Sequence, residues 1–218
     1  QQIKQQSHVH FHEIIDAVGN DEDARRLSMA LWRFGPELSP EIDAARLGEL
    51  WRFLPADTRV PDHSIWDHLD LTAAFAGAFA ADDKGECALL SVSLGPVQDF
   101  IAQARTASDL WSGSHLLSTM AWEAMKVVAE TFGPDAIVFP RLRGAPQVDV
   151  WLQQEIGLPE SLFEKQPWRK STSTDANPLF SASLPNRFLA VVPAENARNI
   201  GDEITTRVRN WAQDKAHL

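Results

Sequence analysis

Residues 89–117 read LLSVSLGPVQDFIAQARTASDLWSGSHLL, and this stretch decides the fold of the second half of the chain. Leu89, Leu90, Val92 and Leu94, with Ser91 and Ser93 interleaved, have the pattern of a largely buried strand. Gly95-Pro96 stops it. Proline fixes its own φ and lacks an N–H, so it suits the first turn of a helix, expected here over residues 97–105. The free N–H groups of that turn would face the strand's carboxyl end, a geometry that suits a phosphate or another anion. A longer helix is expected over 108–132, because Leu110, Leu117, Met120, Ala121, Ala124 and Val128 share one face, and Gly133-Pro134 closes it.

Working outward, residues 136–139 and 188–192 are short apolar strands and 148–156 a short helix. The last helix spans about 195–212, with Ile200, Ile204, Val208 and Trp211 on one side. Strand, two helices, two further strands and a closing helix make an α+β domain, its helices covering one face of a mostly antiparallel sheet. Between Pro159 and Pro185 lies a polar insertion containing KSTSTD, expected to be mobile or partner-dependent. Upstream, from 13 to 81, apolar residues recur at helical steps: Ile14, Ile15 and Val18, then Ala24, Leu27 and Leu31, then Ile42, Leu47, Leu50 and Trp51. The polar run at 81–86 is the strongest boundary signal, giving a helical domain over 1–82 and an α+β domain over 83–218.

Composition narrows the class. With 218 residues and 44% hydrophobic content the chain can bury a sizeable core. A formal charge of -10 argues against this segment alone wrapping a nucleic-acid backbone, and favours proteins or a small ligand as partners. The lone cysteine, Cys87, excludes an intramolecular disulfide and a cysteine-based zinc site and fits a reducing compartment. With no signal-peptide pattern and no apolar run of membrane-spanning length, a cytoplasmic protein without membrane contact is expected. An opening on glutamines without methionine suggests a fragment of a longer chain.

The strings GPVQDFIAQART (95–106) and DLWSGSHLLS (109–118) resemble the first palm domain of the large Cmr-type subunit of type III-B CRISPR effector complexes. GPDAIVFPRLRGAPQVDVWL (133–152) and LPNRFLAVVPAENA (184–197) resemble the same family, in the same order. LPADTRVPDHSIWDHLDLTAAFA (54–76) is similar to the stretch where that family's HD-type helical domain meets the palm. The resemblance implies a ferredoxin-like, nucleotide-cyclase-type palm. It further implies a full-length protein that turns ATP into cyclic oligoadenylate with Mg²⁺, and in some members an HD domain that cuts single-stranded DNA. The implied partners are sibling Cmr subunits, CRISPR RNA, target RNA and ATP.

Palm-type nucleotidyl transfer holds Mg²⁺ between carboxylates at the end of the first strand and in a following hairpin. Here the strand ends Ser93-Leu94-Gly95 and no GGDD or GGDEF string occurs, so this palm is expected to be a non-catalytic partner that holds nucleotide against a second palm. Asp99 is a poor substitute, since the helix dipole favours acids in a first turn. The turn at Gly95, Pro96 and Gln98 reads either as a tight connection or as a ligand-facing element. In the second case Gln98 offers donors and acceptors to a base or ribose, and Ser112, Gly113 and Ser114 add hydroxyls beside a flexible backbone. A mid-helix Gly113 costs ~1 kcal/mol, which the close approach of a ligand or neighbouring chain would explain. Trp111 reads as core, and Arg141 and Arg143 as a solvated face, a protein contact or a phosphate contact.

His63, Asp67 and His68 lie near a helix start, and an adjacent Asp-His pair is found in metal phosphohydrolases. In the resembled family the HD domain is circularly permuted, which would let His68 and Asp67 contribute to a transition-metal site completed elsewhere, although a local capping or pairing role is the alternative. His8, His10 and His12 alternate as ligands on a strand would, or belong to a terminal tail. Three functions remain in play: a palm binding half of a nucleotide site, a structural packing module, and the remnant of a metal-dependent phosphohydrolase.

Overall fold

The computed structural model describes residues 2–19, 23–38, 43, 46–170 and 176–216. In chain order the elements are α1 (Gln2–Val18), α2 (Ala24–Phe34), α3 (Ile65–Ala80), β1 (Cys87–Ser93), α4 (Val97–Ile101) and α5 (Ala107–Phe132). There follow β2 (Ile137–Phe139), α6 (Pro146–Gln154), α7 (Pro167–Lys170), β3 (Arg187–Pro193) and α8 (Ala197–Ala216). Short 3-10 turns occupy Gly48–Phe53, Glu160–Phe163, Pro178–Phe180 and Ala194–Asn196. The expected Ile42 and Ser171 to Asp175 lie outside the described residues.

Two compact units form: Gln1–Asp70 with Asp149–Lys170, and Leu71–Val148 with Ser171–Leu218. This differs from a cut at 82/83. The helix α3 runs unbroken from Ile65 to Ala80, so the polar turn after it is not where compactness changes. Residues 149–170 join the amino-terminal helices because Asp149 there is buried against Arg33 of α2.

In the helical unit the aromatic side chains carry the core. Trp51 and Trp151 are each 2% exposed, and Phe34, Trp66 and Phe163 are buried. Indoles bury cheaply when their N–H finds an acceptor, and here Trp51 Nε1 donates to Gly35 O at 2.8 Å and Trp66 Nε1 to Trp51 O at 3.0 Å. Asp23 caps α2, its carboxylate accepting from the backbone N–H groups of Arg25 and Arg26. The polar insertion is not a loose loop over its first half. Phe163 and Trp168 are buried, and Trp168 Nε1 donates to Asp149 Oδ2 at 3.1 Å, so two apolar anchors inside a polar run tie it down.

The second unit is α+β, with a three-stranded antiparallel sheet in the order β1-β3-β2. β1 runs against β3 from Cys87↔Pro193 to Ser93↔Arg187, and Ile137 of β2 pairs with Ala190. β3, the middle strand, is the buried one: Phe188, Ala190, Val191 and Val192 are each at most 2% exposed. β1 is an edge strand and only half buried, with Leu89 65% exposed, so the expectation of a largely buried strand is corrected. Helices α5 and α8 pack together, and Arg207 bridges them, donating to Glu130 at 2.7 Å and Glu123 at 3.3 Å. Asp82, buried after α3, accepts from the backbone N–H groups of Lys84, Glu86 and Glu195, each at 3.0 Å. These hydrogen bonds hold its carboxyl below the usual carboxylate range.

The long helix buries its expected face only in part. Ala121, Ala124 and Val128 are buried, with Ser118, Trp122 and the run from Met125 to Ala129, whereas Leu110 is exposed, because only the carboxyl-terminal half of α5 reaches the sheet and α8. No helix among the described residues is long and apolar enough to cross a membrane.

Candidate functional site

The turn after β1 is fixed by backbone hydrogen bonds. Leu94 N donates to Asn186 O at 2.8 Å, and Asn186 Nδ2 returns a bond to Leu94 O at 2.9 Å. The chain then leaves the sheet through Gly95-Pro96, a cis peptide bond, and Pro96 in extended conformation leads into α4. That helix has five residues rather than the nine expected, and no side chain caps it. So short a helix sums few peptide dipoles, and the expectation of an anion site at its N-terminus is not carried by this geometry. After Ile101 the chain turns, and Thr106 starts α5 with a capping box, its side chain accepting from Asp109 N while Asp109 accepts from Thr106 N.

The two clusters expected to meet a nucleotide lie on neighbouring surfaces. A Cβ placed at Gly113 would sit 3.3 Å from Phe100 Cε1 and 3.5 Å from Ile101 Cδ1, so α4 packs across α5 at this glycine. The missing side chain is thus explained within the chain, without a ligand or a neighbouring molecule. Gly95, Pro96, Gln98 and Ser112 are exposed. The Ser114 hydroxyl donates to Leu110 O at 2.8 Å, which spends its proton inside the helix and leaves its lone pairs as acceptors.

No acid stands at the end of β1, where Ser93 and Leu94 precede the turn, and Asp99 lies in the first turn of α4. Among the described residues no three histidine, cysteine or acidic side chains come together as a metal would require. The residues of this turn therefore do not fit Mg²⁺, while their neutral donors and acceptors fit a base or ribose.

An aromatic row beside the turn was missed. Trp111, expected in the core, is 45% exposed and lies parallel to His115, ring centroids 5.9 Å apart at 9°. His115 in turn meets Phe180 at 6.4 Å. The spacing of Trp111 and His115, i and i+4 on one helix, was the available signal. Trp111 is outside the core because it stands in the half of α5 that leaves the sheet. Arg141 is exposed and Arg143 half-buried, each already engaged in an interaction.

At the start of α3 the structure regroups the expected pair. Ser64 Oγ donates to Asp67 Oδ2 at 2.6 Å, and Asp67 N donates to Ser64 Oγ at 3.2 Å, so Asp67 closes a capping arrangement. His68 instead faces His63, ring centroids 5.7 Å apart. The His63 ring shares a 2.6 Å hydrogen bond with Asp62, which holds the Asp62 carboxyl below its usual range. In the same unit a cleft of about 770 Å³, lined by His10, Glu13, Glu37, Asp43, Arg52 and Gln166 among others, had no sequence signal, because five separate segments supply its walls. The three early histidines are on neither a strand nor a tail: α1 turns His10 inward, its Nε2 at 3.1 Å from both Phe34 O and Gly35 O, and leaves His8 and His12 exposed.

Comparison with known proteins adds an independent finding. Residues 89–217 match the family described as CRISPR-associated protein Cmr2, N-terminal. The chain is 36% identical over 172 residues to the CRISPR system Cmr subunit Cmr2 of Pyrococcus furiosus, an alignment covering 78% of this chain and 17% of that protein. It is 40% identical over 90 residues to the Cmr2 subunit of Saccharolobus solfataricus, covering 41% of this chain and 9% of the relative. Among solved structures, a chain of the type III-B Cmr-beta complex bound to cognate target RNA superposes with a TM-score of 0.57 at 26% identity, over 72% of this chain and 18% of that one. The chain thus spans less than a fifth of the length of these relatives.

Proposed function

The chain belongs to the Cmr2 N-terminal family, and we propose that it serves a type III-B CRISPR effector as the non-catalytic palm of the large subunit. In this reading it packs against sibling Cmr subunits, meets CRISPR RNA and target RNA through the complex, and contributes half of an ATP site. The observation that carries it is the β1 to α5 segment, which keeps an ordered, exposed strand-to-helix turn inside the family match yet ends its strand without a carboxylate.

The topology supports a ferredoxin-like palm. Strand, helix, strand, strand, helix in the sheet order β1-β3-β2 is the first five elements of a split βαββαβ unit. Among the described residues the outer edge of β1 has no partner strand, which is where a sixth element would add. Gln98, Ser112 and Ser114 are the side chains proposed to meet base or ribose, with Gly95, Pro96 and Gly113 shaping their approach. Nothing in the turn suits Mg²⁺, so the metal that activates the attacking hydroxyl would be held by carboxylates of the second palm. His63 and His68 with Asp62 are two imidazoles and a carboxylate at the end of an HD-like region, short of the ligand set a hydrolase needs.

The test uses the longer native protein. ATP is titrated into wild type, Gln98→Ala and Ser114→Ala, with cyclic oligoadenylate synthesis measured in parallel. A several-fold loss of ATP affinity supports the reading, and unchanged affinity and synthesis in both variants overturn it. A second reading, a packing module without nucleotide, is favoured by the exposed Phe100, Leu110, Trp111 and Phe180. It predicts that Trp111→Ser releases a sibling subunit while ATP binding is unaltered.

A further inference from the structure

The structure assigns His8 and His12 of α1 as a two-histidine chelate for a late first-row divalent ion, a site independent of the nucleotide reading. Four residues along an α-helix advance about 6 Å and return to the same face, which is the spacing by which a helix offers two imidazoles to one metal. Both residues are exposed, and their ring centroids are 4.3 Å apart at 74°. They take no other interaction among the described residues: neither ring is committed to a hydrogen bond, a cap or an ion pair. The i, i+4 spacing on one helix face lets the two rings turn toward one point outside the helix.

Their neighbour makes the contrast plain. His10, two residues from each, points into the unit and spends its Nε2 on the carbonyls of Phe34 and Gly35, so it is unavailable as a ligand. Asp16, exposed one turn beyond His12 on the same face, places a carboxylate where it can bond to a metal-held water, and the net charge of -10 draws cations to the surface. Imidazole donors favour Cu²⁺ over Ni²⁺ and Zn²⁺ in the Irving–Williams order. The site is a staple rather than a hydrolase centre. In the zinc-peptidase pattern a glutamate follows the first histidine and acts as base, and Val9 stands there instead. Cross-linking successive turns would stiffen the helix whose inner face carries Ile14 and Val18.

Cu²⁺ and Zn²⁺ are titrated separately into the 218-residue chain in a non-coordinating buffer, by calorimetry, with far-UV circular dichroism of each variant as the folding control. Glutamine is a good helix former, so His8→Gln and His12→Gln keep α1. The expected result is one equivalent of Cu²⁺, bound more tightly than Zn²⁺, with affinity falling at least tenfold in either variant. Asp16→Asn should weaken it by two- to threefold, and His63→Gln with His68→Gln should leave it unchanged. Metal should raise the thermal midpoint of wild type but not of His8→Gln. Retention of the same stoichiometry and affinity by the His8→Gln/His12→Gln double variant overturns the assignment, as does a wild-type affinity no higher than that of the double variant.

Discussion

Replacing Asp149 with alanine is the sharpest test of how the helical unit is held. Arg33 and Asp149 both have fully buried side chains, and the guanidinium meets the carboxylate through two bonds, Nε to Oδ1 at 2.5 Å and Nη2 to Oδ2 at 2.9 Å. Burial alone would lower the arginine's pKa, but the hydrogen bonds and charge of Asp149, aided by Glu37, raise it above its ordinary value. Losing one partner of a buried pair costs about 3–5 kcal/mol, because the remaining charge is left desolvated. Arg33 would keep Glu37 at 2.5 Å and Gln166 at 3.0 Å, which argues for the lower end of that range. Trp168 Nε1 would lose its acceptor, adding about 1 kcal/mol, for a total of about 4 kcal/mol. With a urea slope of about 2 kcal/mol/M the unfolding midpoint should fall by about 2 M. Tryptophan fluorescence follows it, since Trp51, Trp66, Trp151 and Trp168 all belong to this unit. A shift below about 0.5 M, or about 1 kcal/mol, would refute the reasoning. The Arg33→Met/Asp149→Leu pair separates charge from packing: it should recover most of the loss, giving a coupling of about 2 kcal/mol or more in a double-mutant cycle.

Burial lowers the pKa of His10 below the 6.5 of a free imidazole, so the unfolded chain takes up a proton first as pH falls. Stability should therefore decline from pH 7.5 toward 5.5, and thermal melts of His10→Gln should lack that part of the slope. Asp82 has the opposite window: its depressed carboxyl contributes stability that is complete above the ordinary pKa of 3.8 and lost as pH falls through its folded value. Asp82→Ala should lower the melting temperature at pH 7 and flatten the acid limb; parallel limbs in variant and wild type would contradict this. At Gly113 a methyl group meets Phe100 Cε1 at 3.3 Å and Ile101 Cδ1 at 3.5 Å, so α4 must give way by a few tenths of an ångström to admit it. Gly113→Ala should then lose most or all of the ~1 kcal/mol that helix propensity alone would add, leaving the urea midpoint level or lower, and a gain of the full ~1 kcal/mol would mean that α4 does not require the glycine.

The order of elements in the second unit was legible because each rests on local chemistry. Apolar alternation marks β1, Gly133-Pro134 closes α5, and Pro193 ends β3. What escaped depended on contacts between distant segments. The anchoring of residues 160–170 through buried Phe163 and Trp168 rests on Asp149 meeting both Trp168 and the distant Arg33, more than a hundred positions away, which no local pattern records. Trp111 failed for a related reason: helical periodicity says which residues share a face, but not where along α5 the sheet stops covering it. The alternating histidines misled through the wrong period, since the same spacing that shares one face of a strand sends His10 to the opposite side of a helix from His8 and His12.

The strand-to-helix turn itself separates geometry from catalysis. Its position is set by the reciprocal bonds between Leu94 and Asn186 and by α4 lying across Gly113, and neither device uses a carboxylate. A turn built this way needs no strand-end acid to hold its shape, because such an acid would serve metal binding and not the fold. The same independence bears on the proposed ATP contacts. Gln98 and Ser112 are exposed and hold no element in place, so truncating them should alter ligand affinity with little effect on stability. A variant that loses both would instead mean that these residues support the turn, and the nucleotide reading would then need a different set of contacts.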